Sequence, residues 1–131
     1  KKKKIKFNLF LMKVSLKKCL NIQAGLVALS ESKMLDLKNA FVVAQNMRTL
    51  EPVIESFNSV REDFVAKLRE KADENDEVAT EEVEKVNKAI NEALEEKHNL
   101  GLKKLNLSSM QEIDVPAKVI SQILDIAEYD G

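Results

Sequence analysis

The chain has 131 residues, of which 33% are charged and 5% are aromatic, with three glycines, two prolines and one cysteine. This length suits one domain with a modest core, and the low glycine, proline and aromatic content argues against a β-sandwich or an α/β enzyme. The net charge of −1 hides an asymmetry, because residues 1–30 carry eight lysines and no acidic residue whereas residues 31–131 carry 13 basic and 22 acidic residues. We therefore expect a helical, partly elongated protein with an acidic body.

The first eleven residues allow two interpretations. The run of four lysines and the start-like Met12 indicate a disordered basic extension, residues 1–11, placed before a single domain, residues 12–131. The alternation of apolar residues after the lysines is instead typical of a β-strand. The apolar run is too short and too interrupted for a signal peptide, and no stretch is long enough to cross a membrane, so we expect a soluble, intracellular protein.

A first helix is predicted after an extended segment at residues 12–16. Its apolar face recurs at helical spacing through Cys19, Ile22, Leu26 and Leu29. Gly25 lies inside this helix, where it either costs about 1 kcal/mol relative to alanine or permits a close helix crossing. The single Cys19 excludes an intrachain disulfide and is expected to pack in the core. Ser32 is the predicted N-cap of the next helix.

A long helix is predicted from near Met34, and it carries the most regular pattern of the chain. Nine residues alternate in steps of three and four, the spacing of a heptad seam: Ala40, Val43, Met47, Leu50, Ile54, Phe57, Arg61, Phe64 and Leu68. Because the repeat keeps its phase across Pro52, we expect a kink there and not a break. Arg61 is expected to lie over the edge of the seam with its charge in solvent.

An acidic segment follows the long helix. It holds seven acidic residues and no basic one: Asp73, Glu74, Asp76, Glu77, Glu81, Glu82 and Glu84. The segment lacks the central glycine and the alternating ligands of an EF-hand loop. We therefore predict a solvated turn that holds no metal, with Thr80 as the N-cap of the following helix.

A second heptad helix is predicted over residues 83–100, with a seam of Val83, Val86, Ile90, Ala93, Lys97 and Leu100. Two such helices joined by a short turn form an antiparallel helical hairpin, in which Phe64 and Leu68 face Val83 and Val86, with Ile54 and Phe57 near Ala93 and Lys97. This pairing would make the C-terminal half of the long helix part of the core.

The N-terminal half of the long helix is then covered only by the weaker first helix. We predict that any seam surface left for a partner lies there, at Ala40, Val43, Met47 and Leu50.

The C-terminal region is predicted to hold one strand and one helix. Residues 100–107 indicate a weak strand, with Gly101 at the exit of the preceding helix, and this strand is expected to pair with the N-terminal one. Asp114 and Val115 lead into a last helix with Pro116 at its first position. Its predicted apolar face is Val119, Ile120, Ile123, Leu124 and Ala127. The predicted fold is mainly α with a minor two-stranded β element, a long helical hairpin packed with an N-terminal and a C-terminal helix.

No catalytic or cofactor signature is present. Nucleophilic catalysis needs a nucleophile with a base in reach, and the only histidine, His98, lies in a charged run that predicts a surface position at a helix end. The carboxylates lack the apolar context that raises a pKa for acid–base work. There is no glycine-rich phosphate loop, Cys/His cluster or aromatic–basic interleaving. We therefore expect no enzyme, cofactor or metal, and the acidic body argues against nucleic-acid binding through the N-terminal lysines.

Five segments from Met12 onward carry a family resemblance: residues 12–16 (MKVSL), 35–40 (LDLKNA), 50–54 (LEPVI), 68–71 (LREK) and 86–91 (VNKAIN). With the closing strand and short helix, residues 12–128 resemble a family of short, uncharacterised proteins encoded by tailed bacteriophages. That family has no established activity to carry over. The resemblance implies a small phage protein from late or accessory genes.

These observations predict a non-enzymatic, phage-type protein that binds another protein or itself through its helical hairpin, as a virion, tail-assembly or accessory component. The alternative is an inhibitor that binds a host defence or transcription protein through the acidic surface. Either function places the protein in the host cytoplasm, and the first also allows association with the virion.

Overall fold

The computed structural model describes residues 10–32, 35–75, 80–110 and 116–128. In these ranges the elements are β1 (Phe10–Ser15), α1 (Leu16–Ser30), α2 (Leu37–Asn75), α3 (Thr80–Glu95), β2 (Lys97–Leu102), β3 (Leu105–Asn106), α4 (Ala117–Ile123) and β4 (Ala127–Glu128). Short 3₁₀ turns occupy Leu107–Met110 and Leu124–Ile126. The predicted fold class is confirmed, because a hairpin of α2 and α3 is joined by an N-terminal helix, a C-terminal helix and a minor antiparallel sheet.

The antiparallel sheet of β1 and β2 confirms the predicted pairing of the N-terminal and C-terminal strands. Phe10 lies opposite Leu102. The strand therefore begins before Met12, the residue at which the domain was predicted to start. Residues 1–9, including the lysine run, lie outside the described residues, so their interpretation as an extension stays a prediction.

The prediction that the second heptad helix continues to Leu100 is wrong. α3 ends at Glu95, and the chain then enters β2, where Leu100 and Leu102 are buried and Gly101 between them is less so. Alternating burial of this kind is the pattern of a strand with one face on the core, and pairing with β1 outweighs the helical spacing. His98 lies in β2, so its predicted position at a helix end is also wrong.

α1 packs on α2 and on α4 at close range. Its first turn is capped by Ser15, whose Oγ accepts a hydrogen bond from the backbone N–H of Lys18 at 3.2 Å. At Gly25, an added Cβ would lie 2.7 Å from Cγ2 of Ile123 and 3.1 Å from Cβ of Gln122. The interpretation of this glycine as a close helix crossing is therefore confirmed.

α2 begins at Leu37, later than predicted, and its N-cap is Asp36 and not Ser32. The backbone N–H of Asn39 donates to Asp36 Oδ2 at 3.2 Å, and the N–H of Ala40 donates to the Asp36 carbonyl at 2.8 Å. These bonds satisfy N–H groups that the first helical turn leaves without intrahelical partners.

The helix then continues without interruption for 39 residues, through Pro52. The prediction that the proline does not break it is confirmed. At about 1.5 Å per residue α2 is roughly 58 Å long, which exceeds the diameter expected of a small domain.

Two buried asparagines attach α2 to the segment after β2. The Nδ2 of Asn46 donates to the carbonyl of Lys103 at 2.9 Å, and its Oδ1 accepts from the N–H of the same residue at 2.7 Å. Asn39 binds Asn106 in the same way, with both distances at 3.0 Å. Each side-chain amide therefore pairs with the N–H and the C=O of one residue, as a neighbouring strand would.

The inward face of this half of α2 is Asn39, Val43, Asn46 and Leu50, of which each is at most 2% exposed. The sequence predicted Ala40, Val43, Met47 and Leu50, because it favoured apolar residues over buried amides.

The C-terminal elements complete the core. β3 pairs with β4 in a parallel two-stranded sheet that was not predicted. Pro116 precedes α4 and accepts a hydrogen bond from the N–H of Val119 at 3.0 Å, while residues 114 and 115 lie outside the described residues. The helix ends at Ile123 and not at Ala127, and Ile120 and Leu124 of the predicted apolar face are exposed.

Candidate protein-interaction surface

Burial divides α2 at Leu50. That residue is fully buried, but none of the side chains described between Glu51 and Ala72 is buried, and neither is any side chain of α3. We call residues 51–75 together with residues 80–95 the arm. Only its base packs against the core, through Val53, Ile54, Phe57 and Leu94.

The burial along α2 is the reverse of the prediction. The C-terminal half was expected to be core, and it lies in the arm. The N-terminal half was expected to keep seam surface for a partner, but Val43 is 2% exposed and Leu50 is 0% exposed, so these two residues offer almost no surface to a second molecule. Of the predicted partner seam, only Ala40 and Met47 stay partly exposed, in a shallow groove beside the end of α1.

The reason for this correction is that α1 and the segment after β2 cover the N-terminal half from two sides. The other half of α2 is covered by α3 alone, and on one side only.

A groove of about 260 Å³ runs between the two helices of the arm on one side. We call this side the groove face. Its lining combines apolar residues with three lysines and one glutamate: Phe64, Lys67, Leu68, Lys71, Glu82, Lys85 and Val86. Phe64 and Leu68 share this groove with Val86, in agreement with the predicted antiparallel hairpin, whereas the predicted Val83 is not part of the lining.

Two contacts fix side chains at the edge of this groove. Lys71 Nζ lies 2.8 Å from Glu82 Oε2, and both side chains are part-exposed. Lys67 Nζ lies 5.8 Å from the centroid of the Phe64 ring, within the range of a cation–π contact. Arg61 makes the same kind of contact with Phe57 at 5.9 Å, and it is exposed as predicted.

Apolar side chains of the arm are left in solvent. Val60 is 53% exposed, and Phe64 and Val83 are each 37% exposed. A pair of helices covers one stripe on each partner, and domains usually bury the remaining apolar surface against a further layer. In the described part of the chain no further element covers these side chains, and exposed apolar surface of this kind marks interaction sites.

The predicted acidic surface lies at the far end of the arm, and only part of it is described. Asp76 and Glu77 lie outside the described residues, and for Asp73 and Glu74 the structure describes only the backbone, in the last turn of α2. The remaining three acids occupy the first turns of α3: Glu81, Glu82 and Glu84. Acidic residues at a helix N-terminus are stabilised by the helix dipole, so these positions have a structural role as well. Thr80, the predicted N-cap, is the first residue of α3.

Outside the arm, the single cysteine packs in the core. Burial raises the pKa of the Cys19 thiol against a smaller opposing effect of its backbone hydrogen bond, and the side chain is 0% exposed, which confirms core packing. In the described ranges no group of three or more His, Cys, Asp or Glu residues is placed to hold a metal ion. The same part of the chain holds no helix long and apolar enough to cross a membrane.

Asp36 belongs to a polar network around the start of α2. Its Oδ1 accepts from Nδ2 of Asn39 at 2.8 Å and from Oγ of Ser109 at 3.4 Å. Partial burial acts to raise the pKa of the Asp36 carboxyl, but the hydrogen bonds from Asn39 and Ser109 outweigh it and hold the pKa below its ordinary value. Through its hydrogen bonds to the first turn of α2 and to Ser109, Asp36 fixes the start of this helix.

Sequence reasoning missed the buried asparagines and the exposed part of the arm. The signal for the asparagines was present: Asn39 and Asn46 are seven residues apart, in phase with Val43 and Leu50. The exposure of Val60 could not be predicted from the sequence, because a heptad pattern does not indicate how many other elements pack on the helix that carries it.

Comparisons of the chain with protein-family models, with curated proteins and with solved structures gave no match.

Proposed function

We propose that this chain is a non-enzymatic protein–protein interaction protein that acts through its helical arm. The observation that carries the proposal is the apolar face left on the arm, where Val60 is 53% exposed and Phe64 is 37% exposed. α2 continues for 25 residues past Leu50, the last buried residue among the side chains of this helix that the structure describes. A helix this long is not needed to complete the domain's own core, and its outer half offers a surface to another protein.

The biological setting of the proposal is a tailed bacteriophage. Residues 12–128 resemble small phage proteins in the five segments given above, and this resemblance supports a role as a virion, tail-assembly or accessory component in the infected host cell. The rest of the domain supports this role because it holds the base of the arm in place. It does so through α1, α4 and the hydrogen bonds of the two buried asparagines.

A comparison of two matched variants tests the role of the arm. Phe64→Asp places a charge on the groove face, whereas Phe41→Asp places the same charge at a 62% exposed position outside the arm. Each tagged protein is used to capture partners from lysates of phage-infected and uninfected cells, with proteomic identification. We expect a partner that wild type and Phe41→Asp retain and that Phe64→Asp loses. Equal capture by all three proteins would contradict a role for the arm.

A second function is favoured by the charge of the arm. The arm, residues 51–75 and 80–95, holds 12 acidic and six basic residues. Such a surface suits an inhibitor that occupies the basic groove of a host defence or transcription protein. Binding of this kind weakens as salt rises from low to physiological ionic strength, because exposed charges are screened over about 10 Å at 0.1 M. Binding to a captured host protein that does not change with salt would rule this mechanism out.

A further inference from the structure

We propose that the groove face of the arm pairs with the same face of a second copy of this chain, with the two arms antiparallel. The proposal rests on the proposed function of the arm and names its partner. It follows from the position of the exposed apolar residues, from the arrangement of charges around them and from the area available.

The first step is to place the residues of this face on the two helices. The groove lining fixes Phe64, Lys67 and Lys71 on the face side of α2, and Lys85 on the face side of α3. Steps of three or four residues return to the same side of a helix. The face therefore extends along α2 to Val60, four residues before Phe64, and along α3 to Ala89 and Glu92. Glu92 lies at the outer edge of the face, because it also lines the neighbouring groove on the outer side of α3.

The second step is the register between the helices. Lys71 bonds to Glu82, and Leu68 shares the groove with Val86. Because the helices are antiparallel, a step of seven residues back along α2 matches a step of seven forward along α3. Phe64 therefore lies level with Ala89.

The third step is the charge pattern around that level on α3. Lys85 lies four residues before Ala89, and Glu92 lies three residues after it. We place a twofold axis in the plane of the interface, perpendicular to the arm and at this level. The axis stacks α3 of one copy on α3 of the other, with the two helices running in opposite directions. Lys85 of each copy then lies opposite Glu92 of the other.

The same axis gives a second set of opposite charges on α2. Asp63 and Lys67 lie on either side of Phe64, and the axis stacks α2 on α2 of the second copy. Lys67 of one copy is then in reach of Asp63 of the other. Phe64 meets its own copy near the axis, where paired aromatic rings add to the apolar contact.

The parallel alternative brings like charges together. An axis along the arm stacks α2 of one copy on α3 of the other at equal levels. Lys67 then lies over Lys85, and Asp63 lies near Glu92. Like charges in register cost affinity in an interface, so the charge pattern selects the antiparallel arrangement.

The area of the face sets the strength of the pairing. About 16 residues of helix, or roughly 24 Å, and two helix widths of about 10 Å each give about 500 Å² on each copy. The total of about 1,000 Å² is at the lower limit for a specific interface, so we expect a dimer with a dissociation constant in the micromolar range. The resulting unit is an antiparallel four-helix arrangement that covers Val60 and Phe64.

Charge reversal tests the pairing. Lys85→Glu and Glu92→Lys each place like charges opposite one another in the antiparallel dimer, whereas the double variant restores opposite charges. Arg69→Glu is the control, because it makes the same charge change at an exposed position of α2, five residues beyond Phe64 and on the opposite side of the helix from the groove. Association is measured by sedimentation equilibrium from about 1 to 200 µM at physiological ionic strength, and circular dichroism checks that each variant is folded.

We expect wild type and Arg69→Glu to dimerise equally. Each single reversal at the face should weaken association about tenfold, since two pairs change in every dimer, and the double variant should recover most of the loss. A wild type that is monomeric over the whole range, or a double variant no better than the single ones, would overturn the pairing. In that case a captured partner that is still lost in Phe64→Asp would leave the proposed function of the arm in place.

Discussion

Replacement of Asn46 by leucine tests the anchoring of α2 to the segment after β2. The asparagine is 0% exposed, and its amide makes two short hydrogen bonds to the backbone of Lys103, at 2.7 and 2.9 Å. Leucine has a similar volume, but it leaves the backbone N–H and C=O of Lys103 without the hydrogen-bond partners that Asn46 supplies. A buried donor or acceptor without a partner costs about 1–3 kcal/mol, so two of them cost about 2–6 kcal/mol.

Two effects reduce this cost. Lys103 is only partly buried, so water can reach one of its freed groups, and the leucine side chain adds apolar burial. We therefore expect Asn46→Leu to lower the free energy of unfolding by about 2–4 kcal/mol.

Urea denaturation followed by circular dichroism measures the change. Gln45→Leu, on the exposed side of the same turn, is the control and should change the free energy of unfolding by less than about 0.5 kcal/mol. Hydrogen exchange gives a local check, because the amide of Lys103 should lose protection in Asn46→Leu. A variant as stable as wild type, with that amide still protected, would refute the anchoring role.

Three further changes test the packing, the helix start and the burial along α2. Gly25→Ala should lower the melting temperature, because the new Cβ would lie 2.7 Å from Ile123. The overpacking cost of about 1–3 kcal/mol exceeds the gain in helix propensity of about 1 kcal/mol. A raised melting temperature would contradict the close crossing of the two helices. The lowered pKa of Asp36 stabilises the fold above the ordinary value of 3.8, and this contribution is lost as pH falls through the folded-state pKa. Wild type should therefore lose more stability than Asp36→Asn in denaturation experiments below pH 3.8, and equal losses would refute the effect. Leu50→Ala should lower the free energy of unfolding by about 2–5 kcal/mol, whereas Val60→Ala should lower it by less than about 0.5 kcal/mol when measured on the monomer. Similar losses in the two variants would contradict the division of α2 into core and arm.

The sequence was sufficient for the helices and for the strand pairing. Heptad spacing located α2 and α3, and the interrupted apolar run after Asn99 located the strand that pairs with the N-terminal one. These features depend on local spacing, which a single sequence shows directly. The end of α3 was missed, because Leu100 fits both a helical and an alternating pattern and only the contact with β1 decides between them.

The candidate site was harder to predict because it depends on what covers each half of α2. A heptad seam shows which residues face inward but not how many elements cover them. Val43 and Leu50 became core through contacts with distant parts of the chain, and the equivalent positions in the arm received only one covering helix. The amides of Asn39 and Asn46 could be accommodated in the core only because backbone groups far along the chain pair with them.

Crosslinking at the proposed twofold axis tests the antiparallel pairing of arms most directly. Ala89 lies at the axis, so Ala89→Cys chains treated with a short bismaleimide should form covalent dimers. Thr80→Cys should not, because the two copies of this position would lie about 27 Å apart along the arm. The native Cys19 is buried and does not compete. Dimers from Ala89→Cys alone are the predicted result, and dimers from Thr80→Cys alone, or from neither variant, would contradict antiparallel pairing.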